Sequence, residues 1–424
     1  MKAKVLLLSF ILGFITSSYA GINARIAPSA KKAFQKGVEN FKKENYAEAL
    51  NDFTSAVTIY PQYETAYLHR GYTNEKLGNS FQAVGDYDQV IKLNSQNKEA
   101  LFSRGRLNSK IGLDDESVKD YTKLIEMDGK NYSAHYERGL IYNIMGLYPE
   151  ALKDFERCSQ LKPGAEIDYI TGVIESKIGN EGKAIIFFTN AIKFEKDNKD
   201  FYFHRADSKI KLGKYNEALE DLEIAKNIDL KEIAASSDTA KKKDAYIYHR
   251  IGLAQHYIRN YTSALANFNI AIHINSIVND FYYSRANTCM NLKMYEQAVS
   301  DFSMVIELDP QGLDPYINRA VAYTAMGKYA KAEADYTSYI EINPYNFYIY
   351  QKRADVRVSM KDMEGALSDL NALIELKPEN ATAYFNRGIV EIKLDKKDDA
   401  CKDFKKSGEL GNSEVADVVN KNCK

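Results

Sequence analysis

A basic residue followed by a small one recurs along the chain at a nearly fixed interval: Arg70-Gly71, Arg104-Gly105, Arg138-Gly139, Arg205-Ala206, Arg285-Ala286, Arg319-Ala320, Arg353-Ala354 and Arg387-Gly388. Lys36-Gly37 opens the series, and Thr171-Gly172 and Ile251-Gly252 occupy the two places where the arginine is missing. The steps between successive copies are 34 residues, apart from one of 33 and one of 46. A period of this length means that the chain is an array of one small structural unit, each copy burying its apolar face against its neighbours.

Each of the eleven units reads as two amphipathic helices joined by a tight turn, as in "LDPYINRAVAYTAMG" followed by "KYAKAEADYTSYIEINP". Thirteen residues after the basic position stands Ala in every unit except the third, which has Ser117. Small residues at both places allow two helices to approach closely. Seventeen residues after it stands Phe, Tyr or Leu, from Phe53 to Phe404, a residue fit to fill the wedge at the next contact. Pro61, Pro163, Pro310, Pro344 and Pro378 fall where a helix must stop.

The pattern resembles the tetratricopeptide repeat over everything from Ala30 onward. That resemblance implies an all-α fold, an α-solenoid of tandem helix pairs forming a right-handed superhelix, with the first helices lining a concave groove. The expected organisation is a signal peptide at 1–20, a short linker at 21–29, units one to six at 30–228, an insertion or extended connection at 229–244, units seven to eleven at 245–411 and a C-terminal capping helix at 412–424. Ser236, Ser237 and Asp238 are expected to cap a lengthened helix leading into unit seven, and Lys241 to Lys243 offer a protease site in the insertion.

Every unit with a basic first position has Asp sixteen residues later, at Asp52, Asp86, Asp120, Asp154, Asp221, Asp301, Asp335, Asp369 and Asp403. In the two units without the base, Thr171 is matched with Phe187 and Ile251 with Asn267. Both partners disappear together, so the pair is expected to bridge the two helices of one unit. Nine copies cannot be nine active sites. As partly exposed pairs they are expected to contribute about 0.2–1 kcal/mol each.

Composition narrows the function. "MKAKVLLLSFILGFITSSYA" has two lysines, an apolar run and a small-residue end, the pattern of a secretory signal peptide, and its apolar run is too short to serve as a permanent span. Its removal leaves 55 Lys and Arg against 58 Asp and Glu, without the basic excess that nucleic acid demands. An exported, periplasmic or extracellular protein without direct membrane insertion is the expectation. In an oxidising compartment Cys401 and Cys423 are candidates for a disulfide that staples the cap, whereas Cys158 and Cys289 read as buried thiols.

No catalytic constellation, cofactor motif or metal-ligand spacing stands outside the repeat. His249 and His256 share a helix face but are separated by about 10.5 Å of helical rise, too far for one zinc ion. The expected role is therefore a non-enzymatic scaffold or adaptor for a peptide or protein, an envelope protein in particular. By the resemblance, the groove-facing positions lie two before and two after the basic residue. They give Phe102, Arg106, Tyr136, Tyr169, Phe203, Asp207, His249, Tyr283 and Asn287, flanked by acids such as Glu99, Glu166, Asp200 and Asp280. Such rings and carboxylates suit a ligand with apolar and basic side chains, and a glycan or envelope polymer on the same rings is the alternative. Some members of the resembling family grip a carboxylate with Lys and Asn in the first helix, and no unit here has that combination.

Overall fold

The computed structural model describes residues 26–235 and 244–423, and in them it is all helical. The expected signal peptide, Ser236 to Asp238 and Lys241 to Lys243 lie outside the described residues. Eleven helix pairs follow the sequence register, from Pro28–Lys42 with Tyr46–Ile59 to Ala381–Lys393 with Lys397–Glu409, and a last short helix spans Val415–Asn422. They form two compact bodies, units one to five up to Phe194 and units six to eleven from Glu195. Within each body every first helix packs on its own second helix, and that second helix packs on the next first helix.

Three residues connect the helices of every pair, and the middle one always has a left-handed backbone. Gly146 provides it in unit four at φ 76°, but Arg259 does so in unit seven at φ 64°. Glycine adopts this conformation without steric cost, and other residues are held in it by the packed helices on either side. The 33-residue step arises because one fewer residue joins Leu161 to Ala165 than joins the other described units of that body. The 46-residue step begins with a lengthened second helix in unit six, Tyr215–Ala235. The helix leading into unit seven, Ala245–Tyr257, has the ordinary 13 residues and Asp244 as its cap, so the added helical turns lie on the other side of the insertion from the expected place. Asp229 anchors those added turns: it is 2% exposed, pairs with Lys199 and accepts a hydrogen bond from the backbone N–H of Asp244 at 3.0 Å.

The small residues do what the spacing requires. The ten alanines thirteen residues after the basic position are all fully buried, and so is Ser117, whose hydroxyl donates to the carbonyl of Gly105 at 2.6 Å. The large residue four places further on lies over the small residue of its own unit, a different place from the wedge toward the next contact. A Cβ on Gly172 would come within 2.7 Å of Phe188, and one on Gly252 within 2.7 Å of Phe268. Glycine there lets a ring lie flush against the first-helix backbone, and burying such a ring contributes about 1.5–3 kcal/mol.

All nine ion pairs are present within their units. Their burial corrects the sequence estimate. In the eight arginine pairs the aspartate side chain is 2–8% exposed, and only Lys36–Asp52 is open to solvent. Arg138 holds Asp154 with Nε and Nη2, both at 2.8 Å, while its Nη1 donates to Thr122 Oγ1 of the preceding unit at 2.9 Å. Arg285, Arg319, Arg353 and Arg387 reach back in the same way to Asn269, Ser303, Thr337 and Asn371. One guanidinium thus joins three helices, and a buried pair of this kind costs far more to break than an exposed one.

Candidate functional site

In the first body the first helices carry Phe102, Tyr136 and Tyr169 as half-buried rings. Each leans on the buried ring of its own second helix, with centroids 5.5 Å apart for Phe102–Tyr121, 6.2 Å for Tyr136–Phe155 and 6.1 Å for Tyr169–Phe188. A ring braced from behind keeps its outer edge in one place, which lowers the entropy cost of contact with a ligand. Tyr136 donates its hydroxyl to Glu166 of the next unit at 2.6 Å, and burial together with this carboxylate raises the phenol's pKa. Arg106, exposed at its tip, pairs with Glu75 of the preceding unit, which also accepts from the Tyr87 hydroxyl at 2.5 Å. Burial pushes the Glu137 carboxyl up, opposed by Arg106. Of the acidic flank, Glu166 is therefore engaged by a tyrosine hydroxyl and is less available than the sequence alone suggests.

In the second body Phe203 and Tyr283 are half-buried, Phe203 edge-on to His204 and Tyr283 edge-on to Phe302. The Tyr283 oxygen accepts from the amide of Asn318 in the next unit at 3.1 Å, and Asn287 is half-buried one turn further along its helix. His249 does not line a surface. It is 2% exposed, enclosed by Phe281 of the next unit and Phe268 of its own second helix, with ring centroids 4.8 Å and 5.6 Å away. Its Nδ1 accepts from Arg250 at 3.3 Å, so Nε2 carries the proton and donates to Ser284 Oγ at 2.9 Å. Burial, reinforced by the Arg250 charge, holds its pKa down at about 3.

Asp207 is also engaged, bonded by Arg250 Nε at 2.6 Å. Arg250 thus links two of the residues singled out by position, Asp207 and His249, although it falls one residue before the repeat's basic position and spacing alone passes over it. His256 bonds Thr288 at 2.8 Å, apart from His249. Among the described residues no group of three or more His, Cys, Asp or Glu could hold a metal ion. Cys401 and Cys423 are joined in a disulfide, with Cα atoms 5.7 Å apart, that ties the last helix to unit eleven, while Cys158 and Cys289 are buried free thiols. No described helix is long and apolar enough to cross a membrane.

Models of the tetratricopeptide repeat match residues 132–164, 280–311 and 314–346, which are units four, eight and nine. No curated protein matches the chain. Similar solved structures include the C-terminal part of a TPR repeat-containing protein from Cytophaga hutchinsonii, 20% identical, covering 60% of this chain and 98% of that one at a TM-score of 0.47. A tetratricopeptide repeat protein from Parabacteroides merdae is 19% identical, covering 62% of this chain and 99% of that one at a TM-score of 0.42. Yeast Tom70 is 12% identical over 86% of this chain and 96% of its own, at a TM-score of 0.39. The chain carries tetratricopeptide repeats, a helix-pair fold that commonly mediates protein–protein interaction.

Proposed function

We propose that the protein is an exported, non-enzymatic scaffold of the cell envelope that binds a peptide or protein segment on the surface of its first helices. The observation that carries this reading is the series of half-buried rings at one register position, each braced by a second-helix ring behind it. Preorganised aromatic edges beside polar groups are the usual anchors of a recognition surface. The signal-like N-terminus and the Cys401–Cys423 disulfide, a cross-link typical of oxidising compartments, support export.

The test is a photocrosslinking amino acid placed at Tyr169 or Phe203, with a control at Phe81, a second-helix residue that is 74% exposed. In whole cells both first-helix positions are expected to yield one defined protein adduct that the Phe81 control lacks. Adducts of equal yield from all three positions, or none from the first helices while purified protein scores on glycan arrays, would reject the reading.

A further inference from the structure

Two units of the second body place an aspartate two residues after the repeat arginine, and the two carboxylates meet different partners. In unit six, Asp207 meets Arg250, which stands one residue before the repeat position of unit seven, at 2.6 Å. In unit ten the equivalent residue is Asp355, and the equivalent neighbour in unit eleven is Asn386. Where an arginine would lie, there is a cavity of about 190 Å³. Val358, Leu370 and Val390 line its floor, and Gln351, Asp355 and Asn386 provide its polar groups.

The polar groups are already arranged. Asn386 donates to Gln351 Oε1 at 3.3 Å, and Gln351 in turn donates to Asp355 Oδ1 at 2.8 Å, which leaves Asp355 Oδ2 and the Asn386 carbonyl oxygen as acceptors. The nearby cations are committed elsewhere. Arg353 and Arg357 both bond Asp369, and Lys352 lies over the Tyr348 ring. Among the described residues Asp355 has no ion-pair partner, and burial raises its pKa against the opposing effects of Gln351 and Lys352. The volume is well below the roughly 300–1,000 Å³ of pockets that take drug-sized molecules and is on the scale of one side chain.

We infer that this cavity is a subsite for an arginine side chain of a bound peptide, whose guanidinium takes the place beside Asp355 that Arg250 takes beside Asp207. Its planar fork matches the two free acceptor oxygens, and its methylene stem lies on the apolar floor. This rests on the reading of the first helices as a peptide-binding surface and names the chemistry of one of its positions.

The test uses dodecapeptide libraries that differ only at position six, which is arginine, citrulline, lysine or norleucine, with binding to the full chain followed by fluorescence anisotropy. Citrulline keeps the shape of arginine and removes its charge. The best arginine peptides are expected to bind at least tenfold more tightly than their citrulline forms. Asp355→Asn, which keeps the shape of the side chain and its bond from Gln351, is expected to reduce that ratio below twofold with unchanged melting. Asn386→Arg, which rebuilds the unit-six arrangement, is expected to abolish the arginine preference. Equal binding of arginine and citrulline forms, or a preference that survives both substitutions, overturns the subsite and leaves the peptide-binding reading intact. Lysine equal to arginine overturns the guanidinium assignment. Failure of every library on the wild-type chain brings down the peptide-binding reading itself.

Discussion

In unit four an arginine and an aspartate are buried between the two helices, with His135 adding a third bond to Asp154 at 2.7 Å. In unit seven the same two places hold Ile251, 1% exposed, and Asn267, whose amide donates to Gln255 at 2.9 Å. The helices nevertheless pair in the same way. What the two units share is the second-helix ring over a first-helix glycine: Phe155 over Gly139 and Phe268 over Gly252, both rings fully buried. The ring and the glycine hold a unit together. The ion pair is an addition that also ties the unit to its predecessor, through Arg138 and Thr122 in unit four. In unit seven Arg250 makes an alternative tie to Asp207 in unit six.

The comparison is tested most severely by removing the shared feature. Phe155→Ala and Phe268→Ala are each expected to cost about 3–5 kcal/mol, because a fully buried ring leaves a cavity that the rigid helices cannot close. In an array, unfolding need not be all-or-none, so the loss should be read as hydrogen-exchange protection in the mutated unit and its neighbours. Similar losses in the two units support a common lock. A loss in unit four several-fold larger than in unit seven would mean that the ion pair, and not the ring, carries the pairing.

Removing what differs should have a smaller and unequal effect. Asp154→Ala strands the Arg138 guanidinium, whose side chain is 17% exposed, and is expected to cost about 2–3 kcal/mol, below the full penalty of an enclosed charge because solvent reaches the arginine. Asn267→Ala removes a neutral hydrogen bond and is expected to cost about 0.5–1.5 kcal/mol. Hydrogen-exchange protection in unit four of the first variant and unit seven of the second checks the order. Equal costs would show that the buried pair in unit four contributes no more than the amide pair in unit seven.

The helix pairs were legible because a small residue where backbones approach repeats in every unit, and a counter-charge sixteen residues on accompanies each of the nine basic residues. The joint loss of both partners at Thr171 and Ile251 located the ion pair from sequence alone. Its burial was not legible, because one-dimensional spacing does not reveal that Arg138 reaches backward to Thr122 and closes three helices around Asp154. The surface positions were read less well. Asp207 and His249 fall at register positions open to a ligand, yet Arg250 engages one and two phenylalanines enclose the other. These outcomes depend on the adjoining unit, whose identity at each contact the repeat pattern averages away. The turns have the same limit. Gly146 announces a left-handed residue, whereas Arg259 adopts that conformation only because the helices on either side impose it.

Acid should separate the two units further. At the position that Tyr136 holds in unit four, unit seven buries His249 as a neutral ring whose pKa is held down at about 3 by burial and by the adjacent Arg250. In the unfolded chain the same ring protonates near pH 6.5. Stability from this residue is therefore complete above about pH 6.5 and is lost as pH falls, since the unfolded chain takes up a proton that the folded ring refuses. Between pH 6.5 and 5.5 the loss is about 1 kcal/mol. His249→Phe installs the residue that Phe102 and Phe203 represent at this register and gives up the bonds to Arg250 and Ser284, so it is expected to be less stable at pH 7. Its stability should nevertheless fall less steeply with acid than that of the wild type. Parallel pH profiles for the two proteins in urea titrations would mean that His249 accepts a proton in the folded state, and that the guanidinium beside it does not control its charge.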